Sequence, residues 1–347
     1  SVSGALPQWL GGDSAIRSDA SLYFLIFSLF LPILQMNFLA AGMLRCSGNM
    51  RIPSIAGILM CILDVVFNFF LIFPSREFSA GGLTLSIPGA GLGVQGAALG
   101  TGLAESVAAA ITLWYLFTRS SGLKIKAWRK SPSLPTPPIV RNSIRISLPM
   151  GLEHVVICGA QIMTTVIVAP LGIPAIAANS FAITAESLCY MPGYGIADAA
   201  TTLVGQSLGA GRHRLTRRFA YITVFMGMVV MGIMGVVMYI FAPQIIGTMT
   251  PVEEIRRLGV MALRIEAFAE PMFAAAIISY GVFVGAANTL VPSLMNFFSI
   301  WAVRISLAAW LAPTMGLKGV WVAMCAELCF RGIIFLIRLR GKRWMKI

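Results

Sequence analysis

Asp64 and Asn68 are the residues whose types and spacing point most directly to chemistry. They lie four residues apart in an apolar run of about twenty residues that follows Pro53, so a helix places both side chains on one face. An aspartate in bilayer hydrocarbon costs at least ~2.5–3.5 kcal/mol and usually marks an ion path. Its carboxylate would exchange a proton or hold Na+, with the Asn68 carbonyl as a second ligand. The alternative is a polar pair that only packs helices.

Glu153 and Glu186, in two later apolar runs, form the second candidate site for a coupling cation. If their helices face each other, the two carboxylates would make an acidic site for a small cation or a cationic drug. The alternative is that each makes local hydrogen bonds and only fixes the helix register. His154 would point about 100° away from Glu153 on a helix, and we expect it to be a structural donor.

Glu266 and Glu270 lie four residues apart, and Pro271 follows directly. Like charges at this spacing repel each other on a helix, so we expect at least one carboxyl to be protonated or paired. Pro271 predicts a kink. All three residues are therefore candidates for the wall or gate of a substrate cavity. The alternative is a solvated pair near the outer surface.

Glu327 and Arg331 are also four residues apart, in the order that favours an ion pair on a helix, and we interpret the pair as structural. Arg304 needs an acidic partner too, and the sequence leaves Glu270 and Glu327 open as candidates.

Glycine spacings separate packing signals from a false nucleotide motif. Two pairs have the spacing of close helix packing in membranes, namely Gly205 with Gly209 and Gly281 with Gly285. The G-x-G-x-x-G pattern from Gly91 precedes a membrane helix and lacks the βαβ context of a dinucleotide site. No phosphate-binding loop, H-E-x-x-H or G-x-S-x-G motif exists. We therefore expect no cofactor, no enzymatic activity, and no metal except Na+ at Asp64 and Asn68, if Na+ is the coupling ion.

Composition identifies an integral membrane protein. The 347 residues are 58% hydrophobic and only 11% charged, whereas soluble domains carry about 25% charged residues. The net charge of +13 does not indicate nucleic acid, because most basic residues cluster in four loops or ends while alternate loops hold few. This is the positive-inside pattern. It predicts a multi-pass protein with a cytoplasmic C-terminus.

Nine apolar runs predict about nine transmembrane helices, in an all-α fold. The basic, proline-rich stretch 118–142 is predicted to be a cytoplasmic linker between the N-lobe remainder, 1–117, and a six-helix C-lobe with a basic tail, 143–347. The nine runs are 20–42, 53–73, 93–117, 144–170, 174–206, 217–241, 258–283, 292–312 and 318–340.

An internal repeat relates the ends of the chain. Gly48-Asn49 stands four residues before Pro53 in the same way that Ala287-Asn288 stands before Pro292. The segments 93–96 and 316–319 also correspond, and each precedes an apolar run. We interpret the chain as nine helices of two six-helix lobes, with the first three helices of the N-lobe missing.

The sequence resembles the multidrug and toxic compound extrusion (MATE) transporters. The strongest match is MPGYGIADAATTLVGQSLGAGR, which spans 191–212, and LPMGLE at 148–153 and AAN at 177–179 also match. The resemblance implies a twelve-helix, two-lobe bundle, so we expect an N-terminally truncated chain. It also adds Asn179 to the cavity candidates. Two departures are that the family's Asn-then-Asp order is exchanged at Asp64 and Asn68, and that the second-lobe loop 284–289 has lost its charges.

The resemblance implies an antiporter that exports cationic or amphipathic drugs by alternating access, coupled to H+ or Na+. We expect a monomer in the bacterial inner membrane, with small-molecule drugs and the lipid bilayer as partners and no nucleic acid. One alternative is a lipid-linked oligosaccharide flippase of the same superfamily. The other is an inactive, truncated membrane fragment.

Overall fold

The computed structural model describes residues 17–80, 83–119, 136–341 and 343–345, together with Gly4. They belong to two compact units, Ser1–Leu134 and Pro135–Ile347. The division falls within the predicted linker, of which residues 120–135 lie outside the described residues. The first helix of the second unit begins at Pro137, earlier than predicted, since proline is compatible with the first helical turn.

The first unit contains three helices and one hairpin. Its elements are α1 Arg17–Cys46, α2 Arg51–Ile72, β1 Pro74–Ala80, β2 Leu83–Ala90 and α3 Gly93–Thr118. The hairpin pairs β1 with β2 antiparallel, between the predicted helical runs 53–73 and 93–117. Leu83, Leu85 and Ile87 alternate with smaller residues in β2, and this period of two is typical of a strand. The all-α expectation therefore misses this hairpin.

Small residues let α3 pack closely against both other helices of the first unit. Ala98 and Ala104 are fully buried. A Cβ at Gly96 would lie 2.4 Å from the Leu71 carbonyl oxygen, and a Cβ at Gly100 would lie 2.3 Å from Asn68 Oδ1. The glycines thus bring the α2 backbone and its polar face against α3.

The second unit is helical throughout its described part. It contains α4 Pro137–Val168, a 3-10 turn Ala169–Leu171, α5 Ile173–Gly209, α6 His213–Met249, α7 Glu253–Glu266, α8 Glu270–Gly285, α9 Leu290–Phe298, a π-helix Ser299–Ile305, α10 Ser306–Met315, α11 Leu317–Arg340 and a 3-10 turn Arg343–Met345. Helices α5, α6 and α11 pack around α8. Two clusters of buried apolar side chains form the core.

Within the described residues, seven helical segments are long and apolar enough to cross a membrane, or eight if the bent pair α7–α8 counts as one span. The fifth predicted run, 174–206, is the continuous helix α5 but is not among them. It is rich in Ala, Gly, Ser and Thr and contains Glu186 and Asp198, so its mean hydropathy is lower. The membrane-protein fold predicted from composition is confirmed.

The turns before α2 and before α9 have the same geometry, as the repeat predicts. Gly48 has φ 86° and its counterpart Ala287 has φ 55°. In each turn two backbone N–H groups donate to the end of the preceding helix; the pairs are Gly48 to Arg45, Asn49 to Leu44, Ala287 to Val284 and Asn288 to Phe283, each 2.9 Å. A left-handed conformation is unusual for alanine. The two backbone hydrogen bonds therefore hold the second turn in this conformation although Ala287 stands where the first turn has Gly48.

Side chains repeat this correspondence. Asn49 Nδ2 donates to Tyr115 Oη at 3.1 Å, and Arg338 Nη2 donates to Asn288 Oδ1 at 3.2 Å. Each bond joins the turn to the last part of the third helix in its repeat. Both turns are therefore hydrogen-bonded to the third helix of their repeat, although the partner is Tyr115 in the first repeat and Arg338 in the second.

The π-helix adds one residue to the second repeat. The close approach of Gly96 to the Leu71 carbonyl recurs as Gly319 on the Leu311 carbonyl, where an added Cβ would lie 2.5 Å from the oxygen. The sequence separation between the corresponding residues Leu71 and Leu311 is one residue longer than the separation between Pro53 and Pro292. A π-turn accommodates one extra residue within a continuous helix, and Ser299–Ile305 lies between these two markers.

The predicted glycine packing is confirmed at Gly281 and Gly285. A Cβ at Gly281 would lie 2.6 Å from the Ala197 carbonyl oxygen, and one at Gly285 would lie 2.5 Å from that of Thr201. Thr201 Oγ1 also donates to the Gly281 carbonyl at 2.8 Å. Gly209, in contrast, has open space at its Cβ position. Its partner Gly205 does take part in the contact, because a Cβ there would lie 3.2 Å from the Gly285 carbonyl oxygen.

We expect Gly281→Ala to destabilise the protein by about 1–3 kcal/mol, because the added methyl must displace the α5 backbone. Gly209→Ala is the matched control, since its methyl enters open space. Thermal unfolding of both variants in detergent measures the difference. Equal melting temperatures for the two variants would contradict this close approach of α8 to α5.

Candidate functional site

Asp64 and Asn68 share one face of α2, as predicted. Asn68 Nδ2 donates to Asp64 Oδ1 at 3.2 Å, and both side chains are half-buried in the first unit. Asn68 Oδ1 is buried against α3 and accepts no hydrogen bond from the described residues. The amide thus presents its N–H to the carboxylate, while its carbonyl oxygen faces Gly100 of α3.

A polar network that sequence reasoning missed lies in the same unit. Asn37 Nδ2 donates to Glu105 Oε2 at 3.1 Å, and Thr112 Oγ1 donates to Asn37 Oδ1 at 2.8 Å. Asn37 is an amide within the apolar run of α1, and that isolation was the available signal. Its hydrogen bonds to α3 fix the relative register of the two helices.

Glu153 accepts three side-chain hydrogen bonds in the second unit. It is 7% exposed. Its Oε2 accepts from Tyr280 at 2.5 Å and from Ser293 at 2.6 Å, and its Oε1 accepts from Asn296 Nδ2. Since these donors belong to α8 and α9, Glu153 joins three helices rather than bonding locally on α4.

A cavity of about 360 Å³ opens beside Glu153. Carboxylates of Glu153 and Asp198 contribute to its wall, together with His154 and Arg331. Its apolar wall includes Met150, Ile157, Tyr194, Phe273, Ile277 and Tyr280. This combination of aromatic, aliphatic and acidic groups offers a site for an amphipathic ligand.

Neither Glu186 nor Asn179 lines this cavity. Asn179 is buried, and its Oδ1 accepts a hydrogen bond from Trp321 Nε1 at 3.1 Å. Its environment is therefore that of a helix-packing residue between α5 and α11. Glu186 is 6% exposed and lies within electrostatic range of Arg304 and Arg331.

The kink predicted by Pro271 is confirmed. Helices α7 and α8 meet at 60°, and Pro271 occupies the first turn of α8. Glu266 ends α7 and Glu270 begins α8, so the two acids flank the bend. Both are buried, at 0% and 1% exposure, which excludes the alternative of a solvated pair. None of their four carboxyl oxygens has a hydrogen-bond partner among the described residues.

The predicted ion pair between Glu327 and Arg331 is confirmed. Arg331 Nε lies 3.0 Å from Glu327 Oε1, and Nη2 donates to Oε2 at 3.3 Å. Ser299 Oγ also donates to Glu327 Oε1 at 2.5 Å. Arg304 instead contacts Met324 Sδ and lies within electrostatic range of Glu186 and Glu266.

Comparison with known proteins agrees with this architecture. A family model described as MatE matches residues 149–310. The probable multidrug resistance protein NorM of Thermotoga maritima is 26% identical over 313 residues, which cover 88% of this chain and 63% of that protein. NorM of Idiomarina loihiensis is 24% identical over 342 residues, which cover 96% of this chain and 71% of that protein. The chain thus spans less than two thirds of its Thermotoga relative.

Solved structures share the fold at low sequence identity. A variant of the Vibrio cholerae MATE transporter VcmN superposes with a TM-score of 0.84 at 17% identity, covering 99% of this chain and 75% of that one. A MOP superfamily transporter from Pyrococcus furiosus superposes with a TM-score of 0.85 at 18% identity, covering 98% and 73%. The fold class predicted from the sequence is therefore confirmed.

Proposed function

We propose that this chain is a MATE-family membrane protein and works as a multidrug efflux antiporter that exports cationic or amphipathic compounds in exchange for H+ or Na+. Its family match, its curated relatives and the fold it shares with MATE transporters support this proposal. We place the protein in the bacterial inner membrane with its C-terminus in the cytoplasm, because its basic residues follow the positive-inside pattern.

The observation that carries the proposal is the cavity beside Glu153. A drug cation needs apolar surface for its body and an acidic group for its charge. The cavity offers both, with Phe273 and Tyr194 near a buried carboxylate. Methionine and aromatic side chains also adapt to ligands of different shape.

The charges in the cavity favour a cationic cargo over an anionic lipid headgroup. Among the described residues, its wall contains the carboxylates of Glu153 and Asp198 against one guanidinium, that of Arg331. That guanidinium is already paired with Glu327. A flippase for anionic headgroups would instead need an excess of unpaired positive charge.

Reconstitution into vesicles tests the proposal directly. Vesicles with the purified protein should accumulate or expel ethidium when a proton or sodium gradient is imposed, and should do neither when the gradient is collapsed with an ionophore. Gradient-independent or absent dye movement would reject the antiporter function for this chain.

Asp64→Asn is expected to lower gradient-driven transport at least tenfold, because it removes the carboxylate that we propose as the coupling group while keeping the side chain's shape. Transport should be measured under each gradient separately, which also identifies the coupling ion. Glu253→Gln is the matched control, since Glu253 is an exposed acid at the start of α7. Wild-type rates in Asp64→Asn would assign coupling to Glu153 and Glu186 instead.

A further inference from the structure

Six buried or half-buried charged side chains surround the bend between α7 and α8, and we call them the bend cluster. Its acids are Glu186, Glu266, Glu270 and Glu327, and its bases are Arg304 and Arg331. They come from α5, α7, α8, α11 and the π-helix. All four acids are buried, with at most 6% exposure.

The bend cluster contains two more acids than bases. Glu327 is neutralised by Arg331 and receives a further hydrogen bond from Ser299. Arg304 lies within electrostatic range of Glu186 and Glu266, so one guanidinium faces two carboxylates there. Glu270 lies within range of Glu186, another acid. Uncompensated charge in an apolar interior is costly, so the folded protein needs two further positive charges at this position.

The hydrogen bonds locate the shortage at Glu266 and Glu270. Each carboxyl has two buried oxygens without a donor in the described part of the chain. Glu266 also stands in the last turn of α7, where the helix dipole opposes a negative charge. The dipole of α8 favours a negative charge at Glu270, so Glu266 should take up a proton first.

A proton suits this position better than a metal ion. No group of three or more His, Cys, Asp or Glu side chains in the described ranges is arranged to hold a metal, and a metal ion needs several converging oxygens. A carboxyl group needs only one proton to become neutral and to gain a donor. Both orphaned carboxyls are therefore explained by protons alone.

We propose that Glu266 and Glu270 bind two exchangeable protons at the bend, in a site separate from the cavity beside Glu153. Of the bend cluster, only Arg331 reaches the cavity wall among the described residues. Releasing the protons would leave two excess negative charges next to the Arg331 pair, and this is the route by which the site would affect the cavity. The proposal deepens the transport function proposed above by locating a proton site within it.

The titratable groups that face Glu266 and Glu270 from the neighbouring helices do not supply the missing positive charge. From α5 they are Glu186, Cys189 and Tyr190; from the π-helix, Arg304; from α11, Cys325, Glu327, Cys329 and Arg331. Helix α6 approaches Glu270 with Gly235, and its Tyr239 stacks on Arg264 of α7. The basic groups in this list of facing residues are Arg304 and Arg331, and both were already counted in the charge balance of the bend cluster.

Thermal unfolding across pH tests the proposal without requiring transport. The wild-type melting temperature should fall as pH rises, because the folded protein binds more protons than the unfolded chain and stability then decreases with pH. The double variant Glu266→Gln with Glu270→Gln should lose at least half of this slope and should melt higher than wild type at alkaline pH. Each single variant should lose a smaller part, which keeps the test valid if the double variant does not fold.

The matched control is Glu253→Gln with Glu254→Gln, which removes two exposed acids from the other end of α7 and should keep the wild-type slope. Equal slopes in both double variants would overturn the proposal. So would a sodium-dependent rise in melting temperature, measured against choline at constant pH and ionic strength, that disappears in the Glu266 and Glu270 variants. Loss of dye efflux with the pH slope intact would count against the transport function alone.

Discussion

Glu153→Gln is expected to lower efflux of a cationic dye at least tenfold while the protein remains folded. Glutamine keeps the volume and one acceptor oxygen, which can face Asn296, while its amide can donate to the hydroxyls of Tyr280 and Ser293 because hydroxyls both donate and accept. What disappears is the negative charge in the cavity wall. A charge-assisted contact exceeds a neutral one by about 1.4 kcal/mol, which is a factor of ten in affinity.

Two comparisons make this result specific to charge. Tyr280→Phe removes one donor to Glu153 but leaves the carboxylate, so it should reduce dye affinity far less than Glu153→Gln. A neutral amphipathic substrate should be affected less than the cation in the Glu153→Gln variant. If the variant binds the cationic dye as tightly as wild type, the carboxylate is only a helix tie and the cavity does not select for charge.

Arg331→Met is expected to destabilise the protein by about 3–5 kcal/mol, because it leaves a buried carboxylate without its partner. Glu327 is fully buried, and after the change Ser299 is its remaining hydrogen-bond donor among the described residues. The substitution also increases the excess of acids around the bend. Thermal or denaturant unfolding in detergent should show a larger loss of stability for Arg331→Met than for Gly281→Ala.

Replacing both members of the Glu327–Arg331 pair should destabilise the protein less than replacing Arg331 alone. Adding Glu327→Gln to Arg331→Met removes the orphaned charge and should restore much of the stability, since buried pairs are often replaceable by neutral groups. Arg256→Met is the exposed control: Arg256 lies 3.8 Å from Glu253, with side chains 44% and 85% exposed, and roughly 0–1 kcal/mol is expected. A loss in Arg331→Met no greater than this would contradict a stabilising role for the buried pair.

Features set by local spacing could be predicted from the sequence. The Pro271 bend and the Glu327–Arg331 pair both depend on residues within one helical turn. The helix-packing contact at Gly281 follows from its spacing to Gly285, because small residues four positions apart permit close backbone approach. Each of these features needs no knowledge of which helices are neighbours.

Features that depend on helix neighbours could not be predicted. The donors to Glu153 lie 127 to 143 residues further along the chain, and no local pattern connects them. For the same reason the sequence suggests pairing Glu186 with Glu153, whereas Glu186 lies outside the cavity wall and near the acids of the bend. Asn37 escapes prediction because its partner Glu105 is on another helix.

The single added residue of the π-helix has a practical consequence for anyone who transfers a substitution between the halves of this protein. Before Ser299, corresponding residues of the two repeats differ in number by the same amount as Pro53 and Pro292. After Ile305, this difference in residue number is larger by one. By this larger difference, the counterpart of Asn68 is Ala308, so the amide of the first repeat is replaced by a small apolar residue in the second. Homology within one chain therefore has to be read from backbone landmarks, since a gapless alignment would assign the wrong face of α10.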